Sequence, residues 1–458
     1  MGSFAGLLRS AGYSVRGSDE NVYPPMSDAL AAWGIEVMKG YKPENLDSRP
    51  DLVVIGNVIR RTNVEAQAAV ERGLSYTSFP KALGDLFLEK QEGVVVAGTH
   101  GKTTTTSLTA WLLMSAGRDP SLLVGGIPSN FGQGFRLGAG KHFVVEGDEY
   151  DTAYFDKVPK FLHYKPKTLI ATSIEYDHAD IYASVEAIER EFDKLFSLVP
   201  ETGRIYACAT WPRVLARRGS ARAPVETYTA RAGIEADWTV EDLGQGPGGL
   251  EMTVLERGHR RGHFFLPMSG VHNAENALAA IAFAFGAGLT QEEIRMGLRA
   301  FQGVARRQTV RSEIDGVRII DDFAHHPTAV RETIAAVRSR YPSGRLFAIF
   351  EPRSATSARA HFQTEYATAF DGADHVIIAG VGRSEIKDGE RLDIAKLSAD
   401  VRARGIEADS IASVDDIVVA LAKDARSGDT LLFMSNGGFG GIYGKMEGAL
   451  SARVAARS

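Results

Sequence analysis

The stretch Gly98-Thr99-His100-Gly101-Lys102-Thr103-Thr104 narrows the chemistry of this chain most. The apolar run Val94–Ala97 leads into it, and a helix-compatible segment continues to Ser115. A strand that turns through glycines into a helix aims backbone N–H groups, and the positive end of the helix, at an anion. Lys102 adds a point charge for terminal phosphates, and Thr103 adds a hydroxyl able to ligate Mg²⁺. The spacing is shorter than the common GxxxxGK[ST] phosphate loop, because Val96 stands where its first glycine belongs. A chance Gly-Lys-Thr in a strand-to-helix turn is the alternative. The β-branched run Thr104–Thr106 is unusual inside a helix and suits a phosphate-facing N-terminus.

Two more clusters carry chemistry. Glu146, Asp148, Glu149 and Asp151 place four carboxylates within six residues, and these repel one another unless cations sit among them. Glu175-Tyr176-Asp177-His178 brings an aspartate and an imidazole after another apolar run. Taken alone, the first reads as a solvated acidic turn and the second as a helix cap or surface pair. Three strand-end clusters in one block shift that balance, since ligands of α/β sheets gather at the carboxyl ends of their strands. Carboxylate, hydroxyl and one imidazole suit Mg²⁺ or Mn²⁺ better than zinc.

The elements that must position these groups follow an α/β rhythm. Strands are expected at Tyr13–Gly17, Leu52–Gly56, Val94–Ala97, His142–Glu146 and Thr168–Thr172, with helices at Ser27–Trp33 and Val64–Arg72. Gly-rich turns between strand-like runs over Asp237–Pro267 predict antiparallel hairpins. Helices then fit His272–Phe285 and Gln291–Phe301, the second with a Thr290/Glu293 capping box. A last block has strands at Val317–Asp322, Arg345–Phe350, His375–Ala379 and Thr430–Met434. A length of 458 residues fits three domains at roughly 150 residues each.

Bulk properties exclude several classes. A net charge of −5 counts against a nucleic-acid or anionic-membrane partner. The single Cys208 rules out an internal disulfide and a cysteine-built zinc site. No apolar run reaches membrane-spanning length, and Met1–Gly6 lacks a signal-peptide pattern, so a cytoplasmic enzyme is expected, with no obligate protein partner.

The order of GTHGKTT, EGDEYD, EYDH, His272-Asn273-Ala274-Glu275-Asn276, Arg306-Arg307 and Asp321-Asp322-Phe323-Ala324-His325-His326-Pro327 resembles the Mur ligase family over nearly the whole chain. The resemblance implies an α/β protein of three domains. These are a Rossmann-like UDP-sugar domain (1–88), a central phosphate-loop ATPase domain with a parallel sheet plus antiparallel strands (89–304), and a Rossmann-like domain for the incoming amino acid or peptide (305–458). It implies that Gly98, Thr99, His100, Gly101, Lys102, Thr103 and Thr104 cradle ATP, with Lys102 on the β/γ-phosphates. Thr103 and Glu146 would ligate one Mg²⁺ and His178 a second, so Lys102, Glu146 and His178 form the catalytic set. Asn273, Asn276 (near adenine), Arg307 and Asp322 would complete the nucleotide site. Without the resemblance, His272–Asn276 reads as an ordinary helix N-terminus and His325-His326 as a solvated loop.

Within the family, Asn21-Val22-Tyr23-Pro24-Pro25-Met26-Ser27, Glu149–Lys157, Phe350-Glu351-Pro352-Arg353-Ser354 and Ser435–Gly441 resemble the recycling branch. That branch attaches the murein tripeptide L-Ala-γ-D-Glu-meso-diaminopimelate to UDP-N-acetylmuramate; the alternative branch attaches L-alanine. His325, His326 and Arg353 are then expected at the peptide, with His326 a candidate to accept the amine's proton. A phosphate-loop ATPase or phosphotransferase that forms no amide is the competing class. One further expectation concerns the first domain: no apolar strand precedes the helix beginning near Ser3. Residues upstream of Met1 are therefore expected to complete the sheet beside Tyr13–Gly17.

Overall fold

The computed structural model describes residues 1–24, 26–246, 248–382, 386–387 and 389–456. Pro25 of the 21–27 motif and Pro247 of the hairpin region lie outside the described residues. The chain folds into three α/β domains, each with its own sheet system.

The central sheet has ten strands in the order 259–266, 249–256, 238–246, 225–229, 204–208, 168–171, 92–97, 142–147, 121–123 and 135–136. Its middle is parallel, and Glu92–Ala97 is buried on both faces. Val94 and Val96 pack with Leu108 and Leu112 of the helix Lys102–Ser115. Val95 and Ala97 face Phe143, Phe192 and Leu169 on the other side. A strand covered on both faces reads as a continuous apolar run, which is why Val94–Ala97 is visible in the sequence. The hairpins Trp238–Gly246, Gly249–Glu256 and His259–Leu266 form one antiparallel edge, in the expected region. The capping box at Gln291–Arg299 is present with both of its reciprocal bonds.

In the C-terminal domain six strands run in the order 309–314, 317–322, 430–434, 346–350, 375–379 and 407–411. All pair in parallel except Thr309–Ile314. That strand and Glu407–Ile411 are half-exposed edges without an apolar run, so periodicity did not reveal them. The first domain holds two separate parallel pairs, Arg16–Asp19 with Glu36–Lys39 and Val53–Ile55 with Tyr76–Ser78. Its first strand corrects the expected Tyr13–Gly17. The N–H groups of Ala11, Gly12 and Tyr13 still bond back into the helix Gly2–Ser10, which delays the strand to Arg16.

Candidate active site

Register brings the sequence-distant groups together. Val96 pairs with Glu146 on one side and Ile170 on the other, so the phosphate loop, the acidic turn and the 172–178 segment leave the sheet side by side. The loop turns at Gly101, whose φ of +79° favours glycine. A Cβ there would lie 2.4 Å from Asn276 Oδ1. Asn276 also accepts from Thr105 Oγ1 at 3.1 Å and donates to Asn273 Oδ1 at 3.2 Å. The two asparagines on the buried helix Val271–Gly286 thus brace the loop, and the threonine run packs against that helix.

Lys102 Nζ donates to the carbonyl of Gly98 at 2.5 Å and to Glu149 at 2.8 and 3.0 Å. His178 Nε2 lies 3.0 Å from Glu149 Oε1. Burial alone would lower the Lys102 pKa, but Glu149, Asp148 and Glu146 more than offset it and raise it above the ordinary value. Burial likewise opposes ionisation of Glu149, and Lys102 and His178 override it, holding that carboxyl below its usual range. The His178 pKa is raised: burial works against its charge, and the bond to Glu149 prevails. Asp148 pairs with Lys160 at 2.6 Å, and Asp151 pairs with Lys157. The repulsion expected in the acidic turn is therefore relieved by lysines.

Glu146 accepts from Thr103 Oγ1 at 3.0 Å and from the Gly125 N–H at 2.9 Å. The hydroxyl and carboxylate oxygens at the loop are a hard donor set that fits Mg²⁺. Asp148, Glu149 and His178 offer ligand atoms all within 4.8 Å of one another.

A cleft of ≈ 490 Å³ between the central and C-terminal domains is lined by Lys102, Glu146, His178, Asn276, Arg307 and Asp322, among others. Arg307 reaches Thr103 Oγ1 at 3.5 Å, and its guanidinium sits 4.8 Å from the centre of the Phe323 ring. Asp322 ends its strand and accepts N–H groups of Gln308 and Ala324 at 2.8 and 2.7 Å. Burial raises its pKa, against the pull of Arg307.

Comparison with known proteins places this arrangement. Residues 96–284 match the Mur ligase middle domain, 305–437 the Mur ligase glutamate ligase domain, and 1–91 the Mur ligase family catalytic domain. The chain is 37% identical to the UDP-N-acetylmuramate–L-alanyl-γ-D-glutamyl-meso-2,6-diaminoheptandioate ligase of Escherichia coli strain K12, over 100% of this chain and 97% of the relative. The chain belongs to the Mur ligase family. A UDP-N-acetylmuramate–L-alanine ligase of Acetivibrio thermocellus is 32% identical over 97% of this chain and 92% of its own length. The crystal structure of a murein peptide ligase from Psychrobacter arcticus matches with TM-score 0.73 and 34% identity, covering 98% of this chain and 96% of that one. A UDP-N-acetylmuramate–alanine ligase from Thermotoga maritima shares the fold with TM-score 0.80 at 22% identity, covering 100% and 97%.

In this Mur ligase His325 and His326 also reach the cleft wall, but neither is a solvated loop residue. His325 Nδ1 lies 3.0 Å from the Phe323 carbonyl, and Nε2 lies 3.9 Å from Asp177. His326 is 5% exposed and caps the helix Pro327–Arg340, with Nδ1 accepting the Thr328 N–H at 3.3 Å. Its Nε2 lies 3.2 Å from the Tyr176 carbonyl. Burial, aided by His100, pushes its pKa down to about 3. Both nitrogens are engaged within the fold, and burial disfavours protonation of the ring. Arg353 is exposed beside Gly437, away from the nucleotide cleft lining.

Sequence reasoning missed Glu149, the partner of both Lys102 and His178. The crowding of carboxylates was its signal, and only contacts could show which one turns inward. It also missed Arg231 and Glu332, which meet across the domain junction together with His272 of the 272–276 motif. Arg231 Nη2 lies 2.8 Å and His272 Nδ1 3.7 Å from the Glu332 carboxylate. Among the described residues, no helix is long and apolar enough to cross a membrane.

Proposed function

We propose that this ATP-dependent ligase joins L-Ala-γ-D-Glu-meso-diaminopimelate to UDP-N-acetylmuramate, in peptidoglycan recycling. The observation that carries the reading is the full-length similarity, at 37% identity, to the Escherichia coli ligase named for that reaction. The site chemistry agrees with it. A carboxylate is a poor electrophile, so the γ-phosphoryl group of ATP is first transferred to it, giving an acyl phosphate and ADP. The amine then attacks the carbonyl carbon, and the tetrahedral intermediate collapses to amide and inorganic phosphate. Phosphoryl transfer needs positioning and charge neutralisation more than covalent help from the protein.

On this reading residues 1–88 bind the UDP-sugar, 89–304 bind ATP and 305–458 bind the peptide. Lys102 contacts the β/γ-phosphates from within the loop braced by Asn276, with Asn273 behind it. Arg307 and Asp322 approach the nucleotide from the other side of the cleft. Thr103 and Glu146 hold one Mg²⁺, and His178, oriented by Glu149, holds a second. Bound there, Mg²⁺ neutralises phosphate charge as it develops. His325 lines the peptide side, and the Arg353 guanidinium recognises a peptide carboxylate.

The test is phosphate release with ATP, Mg²⁺ and UDP-N-acetylmuramate, comparing the tripeptide, L-alanine and no acceptor. Release that depends on the sugar and is far faster with the tripeptide is expected. Preference for L-alanine would assign the chain to the alanine-adding branch. Release without sugar or amine would reduce it to an ATPase.

A further inference from the structure

Beside the nucleotide cleft, one cluster of side chains has donors of a different chemistry from the Mg²⁺ ligands. His100, in the phosphate loop, places Nε2 2.7 Å from Glu175 Oε2. From the C-terminal domain, His326 brings Nδ1 to 3.8 Å from the same oxygen. The two imidazoles lie 4.7 Å apart, centre to centre. One ligand atom from each of the three residues lies within 4.8 Å of the others.

The frame around them is fixed. The His100 N–H donates to Ser173 Oγ at 2.8 Å, and the Glu175 N–H donates to Thr99 Oγ1 at 2.8 Å. Thr328 Oγ1 donates to Glu175 Oε1 at 3.1 Å, which occupies the outer oxygen and leaves Oε2 facing both rings. The Tyr176 carbonyl, 3.2 Å from His326 Nε2, keeps the proton on that nitrogen and the lone pair on Nδ1.

We propose that His100, Glu175 and His326 form a site for a divalent transition-metal ion of the zinc class, which fastens the phosphate loop to the C-terminal domain. Two imidazoles and one carboxylate, with coordination positions left for water, are a zinc-type donor set and a poor one for Mg²⁺. Outer partners on the carboxylate and on the second imidazole nitrogen are the device that orients metal ligands. The protonation states suit coordination. His326 is held neutral by burial and by His100. Glu175 stays ionised because its bond to His100 overrides burial.

Binding replaces the hydrogen shared by His100 and Glu175, whose proton moves to His100 Nδ1. It also displaces the 3.3 Å contact from the Thr328 N–H to His326 Nδ1. His100 and His326 both line the cleft, which supplies the ion's way in. The site is separate from the pair of Mg²⁺ sites in the proposed reaction and does not depend on that reaction being correct.

The experiment titrates the full-length chain, stripped with a chelator, with Co²⁺ and with Zn²⁺ in the absence of nucleotide. Binding is followed by calorimetry, by the d–d absorption of Co²⁺ and by the shift in Tm. Because Asp148, Glu149 and His178 offer a second ligand set, each titration is repeated with H178N. A bound ion should persist in H178N. H100Q, E175Q and H326Q should each weaken binding at least about tenfold and alter the Co²⁺ spectrum. Zn²⁺ should raise the Tm of H178N and leave that of the double variant H100Q/H178N unmoved. If H326Q, which alters a helix cap, loses its native circular dichroism, H100Q and E175Q decide the matter. Binding that none of the folded variants weakens, or no Co²⁺ or Zn²⁺ binding by H178N, would overturn the proposal.

Discussion

The Lys102 ammonium lies 2.8 Å from Glu149 Oε2, and the other oxygen of that carboxylate meets His178 Nε2 at 3.0 Å. The phosphate-loop lysine is thus already paired inside a buried triad. On the proposed reading, the γ-phosphate of ATP replaces Glu149 as its partner. Glu149 fixes the positions of both side chains.

Lys102→Met should therefore do two things. Phosphate release should fall by at least about 10²-fold, the scale set by losing one charge-stabilising donor. Stability should also fall, by about 3 kcal/mol, because Glu149 loses its countercharge in a buried setting. In the double variant K102M/E149Q stability should return while activity stays lost. Chemical denaturation of the four proteins closes the cycle; equal stability of K102M and wild type would show that the pair contributes nothing.

Metal dependence tests Glu146 and His178 together. The φ of His178 is +56°, a conformation asparagine tolerates, so H178N removes the imidazole with little backbone strain. Both H178N and E146Q should raise the Mg²⁺ concentration for half-maximal rate by no less than the roughly tenfold that loss of an outer-shell partner costs. Mg²⁺ titrations that superimpose on wild type would remove both residues from the metal sites.

The loop brace gives a reversal test. G101A should cost ATP affinity, because its methyl group collides with Asn276 Oδ1 and the positive φ is strained by about 1 kcal/mol or more. In an N276A background, where the collision is cleared, G101A should cost less ATP affinity than it does in wild type. ATP affinity of the four proteins by calorimetry reads this, and an equal cost of G101A in both backgrounds would mean that strain alone, not the asparagine, shapes the turn.

Arg353 should set acceptor affinity. R353A should raise the tripeptide KM roughly tenfold or more, the value of a charge-assisted hydrogen bond, with the ATP KM unchanged. Initial rates at saturating ATP measure this, and an unaltered tripeptide KM would make Arg353 a surface residue.

Acid should loosen the domain junction at Glu332. Burial opposes its ionisation, but His272 and Arg231 hold its pKa down to about 2. A depressed carboxyl pKa gives stability that is complete above the unfolded value near 4.5 and lost as pH falls toward 2. The Tm advantage of wild type over E332Q should therefore be constant above pH 4.5 and shrink below it. An advantage independent of pH between 4.5 and 3 would rule out this linkage.

The amino-acid sequence by itself determined the parts whose signal is local. Val94–Ala97 announces a strand buried on two faces, the Gly-Thr-His-Gly-Lys-Thr order announces an anion-binding helix start, and Thr290 with Glu293 announces a cap. Each depends on neighbours a few residues apart. The half-exposed strands Glu36–Lys39, Tyr76–Ser78, Thr309–Ile314 and Glu407–Ile411 were not legible, because their stability comes from ladder partners and not from an apolar pattern of their own. The same divide runs through the site. Lys102 stands out by type and spacing, and the family resemblance singles out Glu146 and His178, but only register and packing decide that Glu149 turns inward between Lys102 and His178. Only the docking of the C-terminal domain brings His326 against Glu175 and Glu332 against Arg231, residues about 150 and 100 positions apart. Contacts of that range are set by how whole sheets and helices stack, and no short window of sequence contains both partners.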